Sequence, residues 1–167
     1  MVDTAEKNRF LEQIEENQDI VHKICRLYAN NTDDRKDLGQ EIICQLWKSY
    51  KSFRGESKFT TWMYKVALNT ALLNLRRHRV RVRTESLKEH HTDIPAKADE
   101  KEKYGQINRL YEAISQLGKL DRAIIMLYLE QLSYKEISDV IGISKSNVSV
   151  KLARIKKKLK ELLSGGL

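Results

Sequence analysis

Apolar positions recur at steps of three and four along most of the chain, and no segment alternates apolar and polar residues for the length of a strand. Phe10, Ile14, Ile20, Val21, Ile24, Leu27 and Tyr28 predict one amphipathic helix over about residues 6–29, ended by the polar turn "NNTDD". Leu38, Ile42, Ile43, Leu46, Trp47 and Tyr50 predict a second over about 34–50, with Asp33 or Asp34 placed to accept its free N-terminal amides. After "RGES", a third runs from Ser57, a candidate cap, to about Arg77. Phe59, Met63, Val66, Ala67 and Leu73 fall along one stripe of it and Leu68, Leu72 and Leu75 along another, so much of its circumference faces a core. Thr60, Thr61, Tyr64, Lys65 and Asn69 are left as outward positions, with Trp62 at the margin.

Periodicity fades from 78 to 103, where "TESLKEHHTDIPAKADEKEK" is polar, acidic on balance and holds the single proline. That composition buries too little apolar surface to fold alone, and it predicts a flexible linker between two small helical domains, residues 1–77 and 104–167. Such a linker reaches about 85 Å fully extended and about 30 Å as a coil. The fold class is all-α. In the second domain Ile107, Leu110, Tyr111, Ile114 and Leu117 mark one helix, and Ile124, Ile125, Leu127, Tyr128 and Leu129 another.

The last part, "LSYKEISDVIGISKSNVSVKLARIKKKLKELL", has the most punctuation. Ser133 and Glu136 have capping-box spacing, Ile137, Val140 and Ile141 form a buried face, and Gly142 follows where a helix end needs positive φ. Ser144 can cap a further helix whose apolar face is Val148, Leu152, Ile155, Leu159 and Leu162. Two short helices joined by a glycine turn form a helix-turn-helix, whose second helix enters the major groove. With the apolar stripe buried, Lys145, Ser146, Asn147, Ser149, Val150, Lys151 and Arg154 face outward; Lys and Arg suit guanine, Asn suits adenine and Ser either. Lys156, Lys157, Lys158 and Lys160 extend the charge toward the phosphate backbone.

Charge sharpens this. Residues 1–75 hold 11 basic and 11 acidic side chains, whereas 76–83 hold five Arg and no acid, and 104–167 hold 11 basic against six acidic. The net charge of +8 therefore lies in two separated blocks, as for a polyanion touched twice. Near the first block, aromatic rings beside basic groups on the third helix suit an opened strand, because bases stack on rings while Lys and Arg track phosphates. Residue type alone favours the core for Trp62 and Tyr64, and Asn69 could hydrogen-bond an unstacked base.

The stretch "DLGQEIICQLWKSYKSFRGESKFTTWMYKVALNTALLNLRR", residues 37–77, resembles region 2 of the extracytoplasmic function (ECF) sigma factors of bacterial RNA polymerase. "LDRAIIMLYLEQLSYKEISDVIGISKSNVSVKLARIKKKL" resembles their region 4, in the family's order. The resemblance implies that Asp37, Gln40, Glu41, Leu46 and Trp47 dock on the polymerase β′ clamp, with the β flap as a further contact. It implies that Asn69 lies near the flipped base of the minus-10 element, surrounded by Phe53, Phe59, Trp62, Tyr64 and Lys65, with the loop "YKSFRGESK" helping to form the base pocket. Arg76, Arg77 and Arg79 would hold phosphates beside the melted strand, and Lys145, Ser146, Asn147, Ser149, Lys151 and Arg154 would read the minus-35 element. Partners implied are core polymerase, promoter DNA and an anti-sigma factor, with a monomer when free. Ser138 departs from similar motifs, which usually carry Ala there.

The sequence offers no Gly-rich phosphate loop, nucleophile elbow or paired carboxylates in a strand context, so no enzyme is expected. His22 and Cys25 share a helical face but lack the other ligands of a zinc set, and no metal or cofactor is expected. Cys25 and Cys44 read as small core residues. Neither a membrane span nor a signal peptide is expected, which predicts a reduced, cytoplasmic compartment. A helix-turn-helix alone would also fit a non-sigma regulator; the first module separates the two readings.

Overall fold

The computed structural model describes residues 3–82 and 98–165, which form eight helices and no strand. The chain divides into two compact units between Glu89 and His90.

The first unit consists of α1 (Thr4–Glu16), α2 (Gln18–Tyr28), α3 (Thr32–Tyr50) and α4 (Phe59–Val82). Periodicity predicts α1 and α2 as one helix, but the chain breaks at Asn17, where φ is −122° and ψ 24°. The Asn17 side-chain amide donates to the Gln13 carbonyl at 2.8 Å, satisfying a carbonyl in the last turn of α1. The cap of α3 is Asn31, which accepts from the Asp34 amide at 2.8 Å, so Asp33 and Asp34 instead lie in the first turn, where negative charge suits the helix dipole. Ser57 does not cap α4 either: its hydroxyl donates to the Lys58 carbonyl at 3.3 Å, and that carbonyl accepts from the Trp62 amide at 3.1 Å.

Ile24, Leu38, Ile42, Leu46, Met63 and Leu68 are the largest fully buried side chains of this core. Each Leu or Ile so buried contributes about 1.5–3 kcal/mol. Because α2 and α3 both pack on α4, Thr61, Met63, Tyr64, Ala67, Leu68, Thr70 and Ala71 all go inward. This corrects three expectations: Thr61 and Tyr64 are buried, at 7% and 3% exposure, while Leu73 points out at 51%. Thr70 satisfies its hydroxyl by donating to the Val66 carbonyl at 2.8 Å. Cys25 is in the core as expected, and burial, partly offset by Arg35, pushes its thiol up to about 11. Cys44 is exposed, because it stands on the side of α3 opposite Leu38, Ile42 and Leu46.

The second unit consists of α5 (Ala98–Ser115), α6 (Lys119–Leu129), α7 (Tyr134–Ile141) and α8 (Lys145–Ser164). Its core collects Ile114, Leu117, Ile124, Leu127, Ile137, Val140, Val148, Leu152, Ile155 and Leu159. Leu129, in the predicted apolar run, ends α6 at 48% exposure. Arg122 closes the end of α5, donating from Nε to the Leu117 carbonyl at 3.0 Å and from Nη2 to that of Ser115 at 2.8 Å. Within the span expected as a linker, α4 continues to Val82 and α5 begins at Ala98, and residues 83–97 lie outside the described ones.

Candidate nucleic-acid interface

The turn between α7 and α8 is held by local hydrogen bonds. Ser133 Oγ accepts from the Glu136 amide at 3.2 Å while Glu136 Oε2 accepts from the Ser133 amide at 2.7 Å, the reciprocal capping box the spacing predicts. Gly142 sits at φ 82°, ψ 32°, and its amide donates to the Ser138 carbonyl at 2.8 Å. Ser144 Oγ caps α8 by accepting from the Asn147 amide at 3.1 Å. Ser138 contributes a bond that Ala could not, since its hydroxyl donates across the turn to the Ile143 carbonyl.

With Val148, Leu152 and Ile155 buried, Lys145, Ser146, Asn147, Ser149 and Arg154 are exposed on α8, and Val150 is half exposed. Lys151 shares that side, and its Nζ stands 3.9 Å from the Asp121 carboxylate. These residues span about 14 Å of helix, a length that a major groove accepts. Lys156 turns toward α6 instead: its Nζ lies 4.0 Å above the Tyr128 ring, and hydrogen bonding to Tyr128 holds its pKa above the ordinary lysine value.

In the first unit six rings from three helices and a loop meet at one end of α4. Phe10 contacts Trp47 at 4.9 Å and Tyr50 at 5.1 Å; Phe53 contacts Trp62 at 5.1 Å and Phe59 at 5.8 Å. Tyr50 bridges to Trp62 at 6.3 Å, and its hydroxyl donates to Gln13 Oε1 at 2.9 Å. Beside the loop, Glu6, Arg9, Gln13, Tyr50, Phe53 and Gly55 line a recess of about 440 Å³.

Trp62, half-buried, heads an outward row down α4 that continues through Lys65, Asn69, Leu73 and Arg76, all exposed. Their steps of three and four place them on one face. Phe53 and Phe59 lie half-buried beside this row, and Tyr64 lies on the opposite side, in the core. Arg77 is exposed but carries Nη1 to 3.2 Å from Glu41 Oε1. The side chain of Arg79 lies outside the described residues.

Of the residues expected on a docking face, Asp37 and Gln40 are exposed on α3 and Trp47 is half-buried in the ring cluster. Glu41 is turned toward α4, and Leu46 has no exposed surface, which removes it from any contact with a partner. Its step of four from Leu38 and Ile42 carries that signal in the sequence. Conversely, Ile43, at 40% exposure, and Cys44 lie on the open side of α3 beside Gln40, and Leu73 joins the α4 row; their apolar character concealed them.

Comparison with known proteins agrees with this division. Residues 13–81 match the family model "Sigma-70 region 2" and residues 107–159 match "Sigma-70, region 4". An ECF RNA polymerase sigma factor, SigE of Mycolicibacterium smegmatis, is 27% identical over 92% of this chain, which spans 61% of that protein's length. The RNA polymerase sigma factor YlaC of Bacillus subtilis is 28% identical over 86% of this chain and 85% of its own. Among solved structures, the sigma factor RpoE in complex with the anti-sigma factor NepR from Bartonella quintana has a TM-score of 0.78 at 19% identity, covering 95% of this chain and 99% of that one. CnrH, in complex with the cytosolic domain of CnrY, has a TM-score of 0.70 at 17% identity over 96% of this chain and 91% of its own. With both regions present in order over most of its length, the chain belongs to the sigma-70 family, as a sigma factor of the ECF type.

Proposed function

We propose that this chain binds core RNA polymerase and directs promoter-specific initiation, reading minus-35 duplex DNA with α8 and capturing melted minus-10 DNA with α4. The observation that carries this reading is the outward row Trp62, Lys65, Asn69 and Arg76, which sets a ring, an amide and two cations along one face of a helix whose other sides pack in the core as far as Ala71. A helix-turn-helix regulator has no need of such a row.

The energetics suit a short bubble. Opening costs about 1.4 kcal/mol per base-pair step, while a base stacked on an aromatic side chain returns about 1–3 kcal/mol. One or two captured bases therefore offset only a few steps, and polymerase contacts with duplex anchoring upstream must supply the rest. In this reading Asn69 hydrogen-bonds a flipped base near Trp62, Phe53, Phe59 and Lys65 line its surroundings, and Arg76 holds phosphate. Lys145, Ser146, Asn147, Ser149, Lys151 and Arg154 contact the minus-35 duplex. Asp37 and Gln40, with the accessible edge of Trp47, face the β′ clamp, and the second unit approaches the β flap. The chain between α4 and α5 joins the two units. The neighbour RpoE, solved with the anti-sigma factor NepR, supports an equivalent partner for this chain, which in this reading acts in the cytoplasm and is a monomer when free.

The test is in vitro transcription on fragmented source DNA with sigma-free bacterial core polymerase, with and without the chain. New discrete start sites that share two upstream elements are expected. Duplex binding with no polymerase-dependent initiation would overturn the reading in favour of a conventional regulator.

A further inference from the structure

α4 leaves the core after Ala71. From there to Arg77 no side chain is buried: Leu72, Asn74 and Leu75 are partly covered, while Leu73, Arg76 and Arg77 are exposed. Apolar packing therefore does little to fix the direction of the segment that carries Arg76. A polar clasp from α3 does reach it. Glu41 Oε2 accepts from Asn74 Nδ2 at 3.0 Å, and Glu41 Oε1 accepts from Arg77 Nη1 at 3.2 Å. Both carboxylate oxygens are committed to residues one turn apart on α4. The Glu41 side chain is 28% exposed, so the bonds are better shielded from water than those of a fully exposed pair.

We propose that Glu41 is a positioning residue for promoter opening: it clasps Asn74 and Arg77 so that the end of α4 presents Arg76 to the melted strand. Its carboxylate thereby links α3, the docking helix, to α4, the capture helix. This rests on the function proposed above. Arg77 is the tether and Arg76, one residue earlier and pointing outward, the phosphate contact. Glu41 then belongs to capture, not to the clamp interface, although it lies between Gln40 and Ile43 on the same helix.

The test uses holoenzyme assembled from the full chain and core polymerase. Two quantities are read: affinity of the chain for core, and capture of a fluorescent single-stranded oligonucleotide carrying the non-template minus-10 sequence of a promoter mapped by transcription. Glu41→Ala is expected to leave core affinity within about twofold and to weaken capture about five- to tenfold, the scale of losing charge-assisted hydrogen bonds that orient a helix end. Glu41→Gln, whose amide oxygen still accepts one bond, should lose about two- to threefold. Glu41→Ala combined with Arg77→Ala should lose no more than the worse single variant, because both break one clasp. The proposal is overturned if Glu41→Ala lowers core affinity as much as Asp37→Ala does, if capture is unchanged, or if the two losses multiply. Should Glu41→Ala melt early, the isosteric Glu41→Gln decides, and wild-type capture by that variant counts against the clasp. Wild-type holoenzyme that captures no oligonucleotide would sink the proposed function itself, whereas capture by wild type and Glu41→Ala alike would sink only this inference.

Discussion

Gly142 joins the two helices of the helix-turn-helix, and replacing it isolates a purely backbone cost. Its φ of 82° and ψ of 32° lie in the left-handed region, yet a Cβ built there would meet nothing within 4 Å. Gly142→Ala therefore loses nothing to steric overlap, and the penalty is the left-handed conformation alone, about 1–2 kcal/mol. Gly142→Asn should cost less, since the Asn side chain tolerates this region. Hydrogen exchange followed by mass spectrometry reads the difference where it arises. Protected amides of α7 and α8 should exchange about 5–30-fold faster in Gly142→Ala, with Asn between Ala and Gly, and peptides from α2 and α3 unchanged. Equal effects of Ala and Asn, or no effect of either, would refute the backbone argument. A loss well beyond 2 kcal/mol would mean that the turn is more crowded than its geometry indicates.

Asn69→Ala should lower open-complex formation, measured by permanganate reactivity of the minus-10 region, with core affinity retained; equal loss of both would make Asn69 structural. Lys151→Ala and Arg154→Ala should weaken duplex binding and, where the lost contact is to phosphate, lower the salt slope by about one each; an unchanged slope and affinity would remove them from the interface. Leu46→Ala should cost about 2–5 kcal/mol in chemical denaturation while the folded fraction binds core normally, and a selective loss of core affinity would return Leu46 to the docking face. Cys25 stays protonated in the folded chain up to about 11 against an ordinary 9.0, so the unfolded chain releases its proton first. Stability from this group is full below pH 9 and is lost as pH rises from 9 to 11. Denaturation midpoints should thus fall more steeply across that window in wild type than in Cys25→Ala, and parallel curves would refute the assignment.

The helix-turn-helix was legible because its determinants are local: a capping box four residues long, one glycine at a helix end and one serine starting the next. The break at Asn17 left no such mark, since neither Gly nor Pro occurs there and the amide bond to Gln13 is visible only once both turns exist. Tyr64 shows a different limit. Its residue type fits an interface or a core, and only the packing of both α2 and α3 on α4 decides for the core. Leu46 erred in the opposite direction, because resemblance assigned it to docking while its own spacing placed it inside. Ser138, a departure from similar sequences, became intelligible through its bond to the Ile143 carbonyl. Glu41 needed partners 33 and 36 residues away, a separation no sequence pattern encodes.

Both tryptophans of the chain, Trp47 and Trp62, stand within the ring cluster at the head of α4, and residues 98–165 contain none. Excited at wavelengths that tyrosine does not absorb, the chain's emission therefore comes from one place, beside the site proposed for an unstacked base. On the function proposed above, a nucleobase stacking against Trp62 would quench that light. Strand capture as proposed can thus be followed by the chain's own emission, without a dye.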